Sequence, residues 1–381
     1  MRRSALSSAL AALAWLPLAG YAQPGPVRDN GLWVRTFTGT AAAAPRLRIN
    51  AHGPVTLDGG VARTLSYSVK VGVKARTEAQ ARRLLAQYAV RIESRGEWVV
   101  LTMPGGAASA SAVLKAPRLR VAEISTSDGA VEVNGIDGSL DVDSLAGAVK
   151  VDRIHGDCRL ATGGGDIHVG LVDGALHCTT GGGHVTVTTV LKEAFLQTSG
   201  GDIIAGQVGG QVQAQTAGGT VRIQSAGGPV TVVNGGGPII VGKANGIVTA
   251  RNMAGPVQVG AAAGVHCESG TGGIRLSNIT GSMRVSTAMG SILASLIGSK
   301  LADSFLATGN GDVTVVIPSN LGVRIRAESE MADTLRRIIS DYRELQVRRL
   351  GTQVVAEGPV NGGGPLLQIS ASSGTIFIRR Q

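Results

Sequence analysis

The sequence predicts an all-β chain that folds as a parallel, right-handed β-solenoid (β-helix) of about ten 18-residue turns. A small α+β segment leads into the solenoid, and a C-terminal cap closes it. Two observations predict this fold: glycine recurs at a fixed interval of 18 residues, and apolar residues alternate between the glycines. The composition agrees, because 56 of the 381 residues are glycine and only 3% are aromatic. Thin apolar layers between glycine turns need few aromatic side chains.

The repeat glycines define the turns, and each is position 0 of its turn. Eight follow one another at intervals of 18 residues, and Gly272, Gly290 and Gly311 continue the series at less regular spacing. We expect them at the corners of the coil, where they supply positive φ and allow close approach of neighbouring turns. The eight regular repeat glycines are Gly129, Gly147, Gly165, Gly183, Gly201, Gly219, Gly237 and Gly255.

Apolar columns predict two short strands in every turn. Positions 2 and 4 are apolar, as in Val131 and Val133, and so are positions 11 and 13, as in Leu140 and Val142. A second glycine often stands at position 9 and separates the two halves. Stacked strands lie ~4.8 Å apart in parallel ladders, so equal columns bury a continuous apolar stripe. Parallel crossovers favour a right-handed coil.

Position 15 is a polar column inside this pattern. Small hydroxyls and amides stacked at a bend can bond one another and the backbone of the turn. We therefore interpret this column as a structural ladder and not as a catalytic row. Its members are Ser144, Thr162, Thr180, Thr198, Thr216, Asn234, Asn252, Ser269 and Thr287.

The first 22 residues predict an export signal. Arg2 and Arg3 precede an apolar stretch, Ala5 to Ala19, that is too short to span a bilayer. Small residues then favour cleavage near Ala22. No later apolar run reaches membrane-spanning length, so no transmembrane segment is expected. We expect an exported protein that is periplasmic, cell-surface or secreted.

Two further segments lie before the array. Residues 23–44 are rich in Pro, Gly and Ala and are expected to form a linker. Residues 45–112 alternate as strands and contain one short helix over about 78–88, for which Thr77 can act as N-cap. The solenoid repeats are expected over residues 113–320.

Residues 321–381 are expected to form capping strands, because open ladder ends invite edge-to-edge pairing. The charged stretch 330–349 fits either a short helix or an extended excursion. After it, the sequence NGGGP at 361–365 repeats the one at 234–238, and a final apolar pattern predicts one last turn.

The positive charge is concentrated near the N-terminus. Residues 23–127 carry 15 Lys and Arg against 6 Asp and Glu, a formal +9, whereas residues 128–320 carry 10 against 14, a formal −4. A solvated surface is one interpretation. A more specific interpretation is that residues 23–127, the basic N-terminal flank, contact an anionic glycan or an envelope surface. No nucleic-acid motif accompanies the charge, so a nucleic-acid partner is not expected.

The three cysteines are expected to be buried free thiols. Cys158, Cys178 and Cys267 occupy the inward positions 11 or 13. Cys158 and Cys178 lie one turn apart but are offset by two residues, a separation of roughly 8 Å that is too great for a disulfide.

No metal or cofactor site is predicted. Calcium-binding nonapeptide rolls need an aspartate in every half-turn, but here only Asp166, Asp202 and Asp312 follow a repeat glycine. His168 and His177 share one turn, but the histidines of the array form no column. Exposed surface histidines are the simpler interpretation.

No catalytic residue is predicted either. Asp141 and Asp143 lie on one strand about 6.8 Å apart, a spacing that is compatible with glycoside hydrolysis. However, the expected turns are too short to build a walled cleft around them.

Several motifs carry a family resemblance. They are the repeats TGGGDIHVG, TSGGDIIAG and TGNGDVTVV, the lead-in LRINAHGPVTLDGG and the closing NGGGPLLQISASSGTIFIRR. With them, the chain resembles the bacterial putative-adhesin family of exported β-strand-repeat proteins over about residues 45–381. The resemblance implies a single-chain β-solenoid of the cell envelope without catalytic residues.

The favoured interpretation is a non-enzymatic, exported cell-envelope module with an adhesive, binding or structural role. Two alternatives remain: a polysaccharide-active β-helix enzyme, and a periplasmic envelope-signalling partner that uses the basic flank. Ligand contacts are expected on the outward positions 3, 5, 12 and 14. These hold a mixture that includes Glu132, Lys150, His168, Arg222, Arg159, Gln213 and Arg284.

Overall fold

The chain is an all-β solenoid of about 11 turns of about 18 residues, with parallel sheets and a small N-terminal part, as the sequence predicts. The computed structural model describes residues 25–103, 105–297, 301–330 and 337–381. The expected signal peptide, residues 1–22, lies outside the described residues. Within them, no helix has both the length and the apolar character that crossing a membrane requires.

Each turn contributes one strand to each of two long sheets, which face each other across the core. The strands of the first sheet are β1 (Val27–Asp29), β2 (Leu32–Ala41), β4 (Val55–Asp58), β5 (Leu65–Val73), β8 (Ser109–Lys115), β10 (Val131–Ile136), β12 (Val149–Ile154), β14 (Ile167–Val172), β16 (Val185–Val190), β18 (Ile203–Val208), β20 (Val221–Ala226), β22 (Ile239–Ala244), β24 (Val257–Ala261), β26 (Ile274–Ile279), β28 (Ile292–Leu296), β30 (Val313–Ile317), β32 (Ile338–Ser340) and β36 (Ile376–Arg380).

The second sheet is built from the other half of each turn. Its strands are β3 (Arg46–Ala51), β6 (Arg91–Arg95), β7 (Trp98–Thr102), β9 (Val121–Thr126), β11 (Ser139–Ser144), β13 (Cys158–Thr162), β15 (Leu176–Thr180), β17 (Ala194–Thr198), β19 (Val212–Thr216), β21 (Val230–Asn234), β23 (Ile247–Ala254), β25 (Gly264–Thr271), β27 (Met283–Met289), β29 (Ser304–Asn310), β31 (Val323–Ser329), β33 (Gln346–Leu350), β34 (Gln353–Val360) and β35 (Leu366–Ser373).

The apolar columns at positions 2, 4, 11 and 13 are buried. They pair in register with the same positions of neighbouring turns, as in Val131 with Val149 and Leu140 with Cys158. A fifth buried column, at position 7, was missed, because two consecutive outward residues break the alternation before it. Its members include Ile136, Ile154, Val172, Val190, Val208, Ala226, Ala244, Ala262 and Ile279.

The first corner of each turn is a close contact between backbones. A Cβ atom added to the repeat glycines from Gly147 to Gly237 would lie 1.9–2.3 Å from the carbonyl oxygen of the preceding repeat glycine. Positive φ occurs at Gly129 (87°), Gly147 (112°) and Gly255 (106°) but not at the five between. The expectation of positive φ throughout was therefore wrong, because close approach alone excludes a side chain at those corners.

The side chains at position 15 are buried beside this corner and bond backbone groups. Thr198 is typical: its hydroxyl donates to the carbonyl of Gly183 at 2.9 Å and accepts from the N–H of Gly201 at 3.2 Å. The side-chain amide of Asn234 donates to the carbonyls of Gly219 and Gly237, both at 2.9 Å. Each of these side chains links the corners of two successive turns. In the described ranges, the ladder side chains bond backbone and not one another, and Ser269 has no partner.

Part of the expected linker, residues 23–44, forms strands instead. β1 and β2 make a hairpin around Asn30 and Gly31, which have φ of 44° and 80°. β2 then runs antiparallel to β5 from Trp33 opposite Val73 onwards. Asn-Gly is the strongest short hairpin signal, and Thr-rich alternation favours a strand. The Pro, Gly and Ala content around them hid both signals.

The predicted helix is present as α1 (Glu78–Leu85) and ends three residues earlier than expected. Thr77 is its N-cap and accepts from the N–H of Gln80 at 3.3 Å, while the Gln80 side chain accepts from the N–H of Arg76 at 3.1 Å. Ala81 and Leu85 are buried against the strands of the N-terminal part.

At both ends of the solenoid, the order of turns in space differs from their order in the chain. The turn formed by β3 and β4 lies between the turn of β7 and β8 and the turn of β9 and β10. The C-terminal turn, β35 and β36, lies between the turn of β29 and β30 and the strands β31 and β32. Of the ambiguous stretch 330–349, the described residues include β32 and part of β33, and the cap ends in the antiparallel strands β34 and β33.

Candidate ligand-binding groove

A groove of about 490 Å³ runs along the outer face of the second sheet, across β9, β11, β13, β15, β17 and β19. The main outward column of these strands is position 12, and position 10 forms the rim beside the second corner. Because neighbouring turns differ at these positions, the groove has its own composition. Position 12 supplies Glu123, Asp141, Arg159, His177, Phe195 and Gln213, and position 10 supplies Ser139, Asp157, Ala175, Glu193 and Gln211.

A stacked pair of rings lies in the middle of the groove. His177 and Phe195 occupy neighbouring strands in register, and their ring centroids are 4.4 Å apart with an interplanar angle of 10°. Burial, and secondarily the charge of Arg159, lower the pKa of His177. The imidazole is therefore neutral at pH 7, and the pair offers a partly exposed, uncharged ring surface.

Charged side chains flank the rings. Arg48 pairs with Glu123 at 2.7 Å at one end of the groove. Asp141 lies between Glu123 and Arg159 in the register of the sheet. Partial burial in the groove raises the pKa of Asp141; Arg159 lowers it, and the charges of Glu123 and Asp143 raise it further. The Asp141 carboxylate therefore lacks full compensation by the groups around it.

A smaller hollow of about 220 Å³ adjoins the groove and shares Glu123, Asp141 and Arg159 with it. Asp143 lines this hollow beside Asp141 on β11. The two aspartates that the sequence suggested as a hydrolytic pair thus lie at one concave site. Both project from β11 on the outer face of the second sheet, and both side chains are exposed.

The other chemical groups singled out in the sequence are dispersed. His168 lies on the first sheet and His177 on the second, so the two do not share a site. Within the described ranges, no three His, Cys, Asp or Glu side chains come together in a way that could hold a metal ion.

Side chains that follow the repeat glycines have a structural role. Asp166, His184 and Asp202 accept from backbone N–H groups of the next turn at 2.8, 3.0 and 2.7 Å. Asp312 does the same for the N–H of Thr375 at 2.8 Å. These bonds satisfy corner donors that the coil leaves free. The sequence offered no signal for this, because the residue type changes from turn to turn.

All three cysteines are free and buried. Burial raises the pKa of Cys158 and of Cys267 to about 12, and raises that of Cys178 as well. Thiols held this far from ionisation are poor nucleophiles. They act as small apolar side chains in the core.

Ion pairs engage several arginines of the basic N-terminal flank. Glu97 lies within 3.5 Å of Arg46 and 3.4 Å of Arg120, and Arg82 pairs with Glu78 at 2.6 Å. The formal +9 of residues 23–127 already counts these acids, so the ion pairs fix where the negative charges lie but leave the net positive charge unchanged.

Sequence reasoning placed Arg159 and Gln213 on a binding face but missed Phe195, Asp157 and Glu193. Phe195 could have been found as an aromatic residue in an outward column of a chain with few aromatics. Asp157 and Glu193 stand at position 10, which follows the corner and was not treated as an outward position.

The comparisons with known proteins concern structures alone, since no family model and no curated protein matches the sequence. The fold is similar to a putative adhesin from Bacteroides fragilis NCTC 9343, with 13% identity over 71% of this chain and 98% of that one and a TM-score of 0.35. A putative adhesin from Parabacteroides merdae ATCC 43184 gives 11% identity, 74% and 95% coverage and a TM-score of 0.29.

A putative lipid binding protein from Parabacteroides distasonis ATCC 8503 gives 10% identity, 91% and 97% coverage and a TM-score of 0.26. Structures of putative adhesins are thus found among those similar to this chain, as the sequence resemblance predicts. At these identities and TM-scores, the likeness carries no argument about function.

Proposed function

We propose that this chain is an exported binding module of the adhesin type, and that it holds an extended glycan in the groove on the second sheet. The observation that carries the proposal is the groove itself, with its partly exposed ring pair flanked by hydrogen-bonding side chains. Sugars present apolar C–H faces to rings and hydroxyls to carboxylate, amide and guanidinium groups. A concave surface with a few convergent polar groups is the usual form of a ligand site.

The shape of the groove favours a linear ligand. It crosses six strands, so it is ~24 Å long at the spacing of a parallel sheet. In an extended β-linked chain, one sugar ring advances by nearly the spacing between strands. Each turn of the solenoid can therefore meet one sugar ring with an outward side chain from position 12.

The cost of the Asp141 charge supports a role in binding. Its raised pKa means that the folded protein disfavours the ionised form. Groups that lower stability without a structural gain are typical of functional sites. A ligand that bonds this carboxylate would supply the compensation that its protein neighbours do not.

We propose binding without turnover. The carboxylates of the groove project from an open sheet face, and glycoside hydrolysis requires a pair that encloses the scissile bond. The expected export signal, with cleavage near Ala22, supports a place in the periplasm, on the cell surface or outside the cell.

A glycan microarray followed by calorimetric titration tests the proposal. Phe195→Ala should weaken binding of an array ligand at least about tenfold, because the ring pair lies at the centre of the groove. Phe305→Ala is the matched control. Phe305 is 39% exposed in the same outward column, between Arg284 and Gln368 and ~29 Å away along the solenoid.

Phe305→Ala should leave the affinity within about twofold of the native value. An array without any ligand, or an equal effect of the two substitutions, would contradict the proposal. Release of reducing ends from the bound glycan, lost in Asp141→Asn, would establish the enzymatic alternative instead.

A further inference from the structure

We infer that the glycan held in this groove carries free amino groups, so that the ligand is an amino-sugar chain and not an anionic polysaccharide. This inference rests on the proposed function and deepens it. It follows from the local charge of the groove, which is opposite in sign to that of the chain as a whole.

The lining of the groove is acidic. Glu123, Asp141, Asp157 and Glu193 supply four negative charges, while Arg159 and the Arg48 that pairs with Glu123 supply two positive charges, which leaves a formal −2 with His177 neutral. The whole chain is formally +10. A general attraction to anionic polymers would therefore act elsewhere on the molecule, while the groove itself repels them.

The acids are also incompletely engaged. Asp157 accepts one bond through Oδ1, from the N–H of Ala175 at 2.9 Å, and only Glu123 has an arginine partner. In the described part of the chain, Asp141, Asp157 and Glu193 form no ion pair. Arg159 lies beside Asp141 in register, but it makes no ion pair with it. Carboxylates that are not held in ion pairs are the acceptors that a ligand ammonium group would bond.

Their arrangement suits a repeating ligand. Along the groove, Asp141 lies on β11, Asp157 directly precedes β13 and Glu193 directly precedes β17, so two acids lie on one side of the ring pair and the third lies level with Phe195. A chain with one amine on each sugar ring can place ammonium groups against these carboxylates while its ring faces lie on His177 and Phe195. Neither a neutral nor an anionic chain uses both features.

Calorimetry with four probes tests the inference at pH 6, where sugar amines are protonated. The probes are a chitosan hexamer, its fully N-acetylated counterpart, an oligogalacturonate hexamer and hexalysine. We expect the chitosan hexamer to bind at least about tenfold more tightly than the N-acetylated hexamer. We expect no heat of binding from the oligogalacturonate.

A matched pair of variants separates local from overall charge. Glu193→Gln removes an acid from the groove, and Glu268→Gln removes an exposed acid on β25, outside it. Only Glu193→Gln should weaken chitosan binding, by about fivefold or more. Equal losses in both variants would show that net charge alone attracts the probe and would overturn the inference.

The remaining outcomes distinguish the two proposals. Equal binding of both hexamers with the Phe195 dependence intact would overturn the amino-sugar inference and leave the glycan site standing. Hexalysine binding as tightly as chitosan, without dependence on Phe195, would replace the sugar by a basic peptide and overturn both. Failure of every probe and of the glycan array would also overturn both.

Discussion

One methyl group decides whether two turns can stack at the first corner. A Cβ on Gly183 would lie 2.1 Å from the carbonyl oxygen of Gly165, and a backbone atom cannot move away without shifting its turn. At the adjacent Gly182, a Cβ would have no neighbouring heavy atom within 4 Å. Adjacent glycines in one corner thus have different structural roles.

We expect Gly183→Ala to lower the free energy of unfolding by about 2–4 kcal/mol because the corner must open. Gly182→Ala should change it by about 0.5 kcal/mol or less. Equilibrium denaturation of the two variants measures both values. Similar losses in both would mean that corner contact does not explain the glycine period.

The polar ladder allows a second test at this scale. Thr198→Val keeps the side-chain shape but removes the donor to Gly183 and the acceptor for Gly201. Leaving buried backbone groups unpaired should cost about 1–3 kcal/mol of unfolding free energy. Thr188→Val, on the exposed face of the first sheet, is the control and should be nearly neutral in the same denaturation experiment.

Removing the charge of Asp141 should stabilise the folded protein, whereas Gly183→Ala and Thr198→Val should destabilise it. Because its pKa is raised in the folded state, its ionisation opposes folding above that pKa, and the penalty disappears as the pH falls below the ordinary aspartate value. Asp141→Asn should therefore raise the melting temperature at pH 7 by about 1–2 °C. The gain should vanish near pH 3, and a lower melting temperature at pH 7 would contradict the argument.

Residues that recur are the ones that the sequence predicts well. The repeat glycines and the ladder stand in fixed columns, so their identity shows their place in each turn. The groove does not recur: Asp157, His177 and Phe195 come from three different turns, and only the register brings them together. A single sequence therefore predicts the scaffold and some groove residues, such as Arg159 and Gln213, but not the site that they form together.

Within each strand of the first sheet, the apolar alternation identifies only some of the buried positions. Alternation identifies positions 2 and 4, but the backbone kink at positions 5 and 6 hides position 7. Arg153 and Asn278, with φ of 53° and 50°, mark that kink at non-glycine residues. The residue at position 7 is buried because it stacks on the same position of the neighbouring turns, and alternation within one strand does not indicate that contact.

β2 protects the edge of β5, and a truncation can test this role. It covers the edge of β5 with nine residue pairs, from Trp33 opposite Val73 to Ala41 opposite Leu65. A chain that begins at residue 45 would expose this edge, and exposed edges pair with one another. We expect that truncation to self-associate in light scattering, whereas a chain that begins at residue 23 should not. If residues 23–44 were only a linker, the two chains would behave alike.

Both ends of the whole molecule are closed against further stacking. The edge strands of the second sheet, β6 and β33, carry Arg91, Glu93 and Arg95 at one end and Arg348 and Arg349 at the other. Charged edges disfavour end-to-end pairing. The sequence period does not show how the C-terminal end is closed. The turn that stacks on β29 and β30 is formed by β35 and β36, more than three periods later in the chain, with 63 residues between bonded partners.

At this scale the molecule combines a basic N-terminal part, two closed ends and one acidic groove. The central claim is that this groove is where the chain binds its ligand. Hydrogen–deuterium exchange with and without a saturating glycan ligand tests it most directly. We predict slower exchange in the groove strands β9, β11, β13, β15, β17 and β19, and unchanged exchange in β27 and β29, where Phe305 lies. Protection confined to the N-terminal flank or to the first sheet would contradict it.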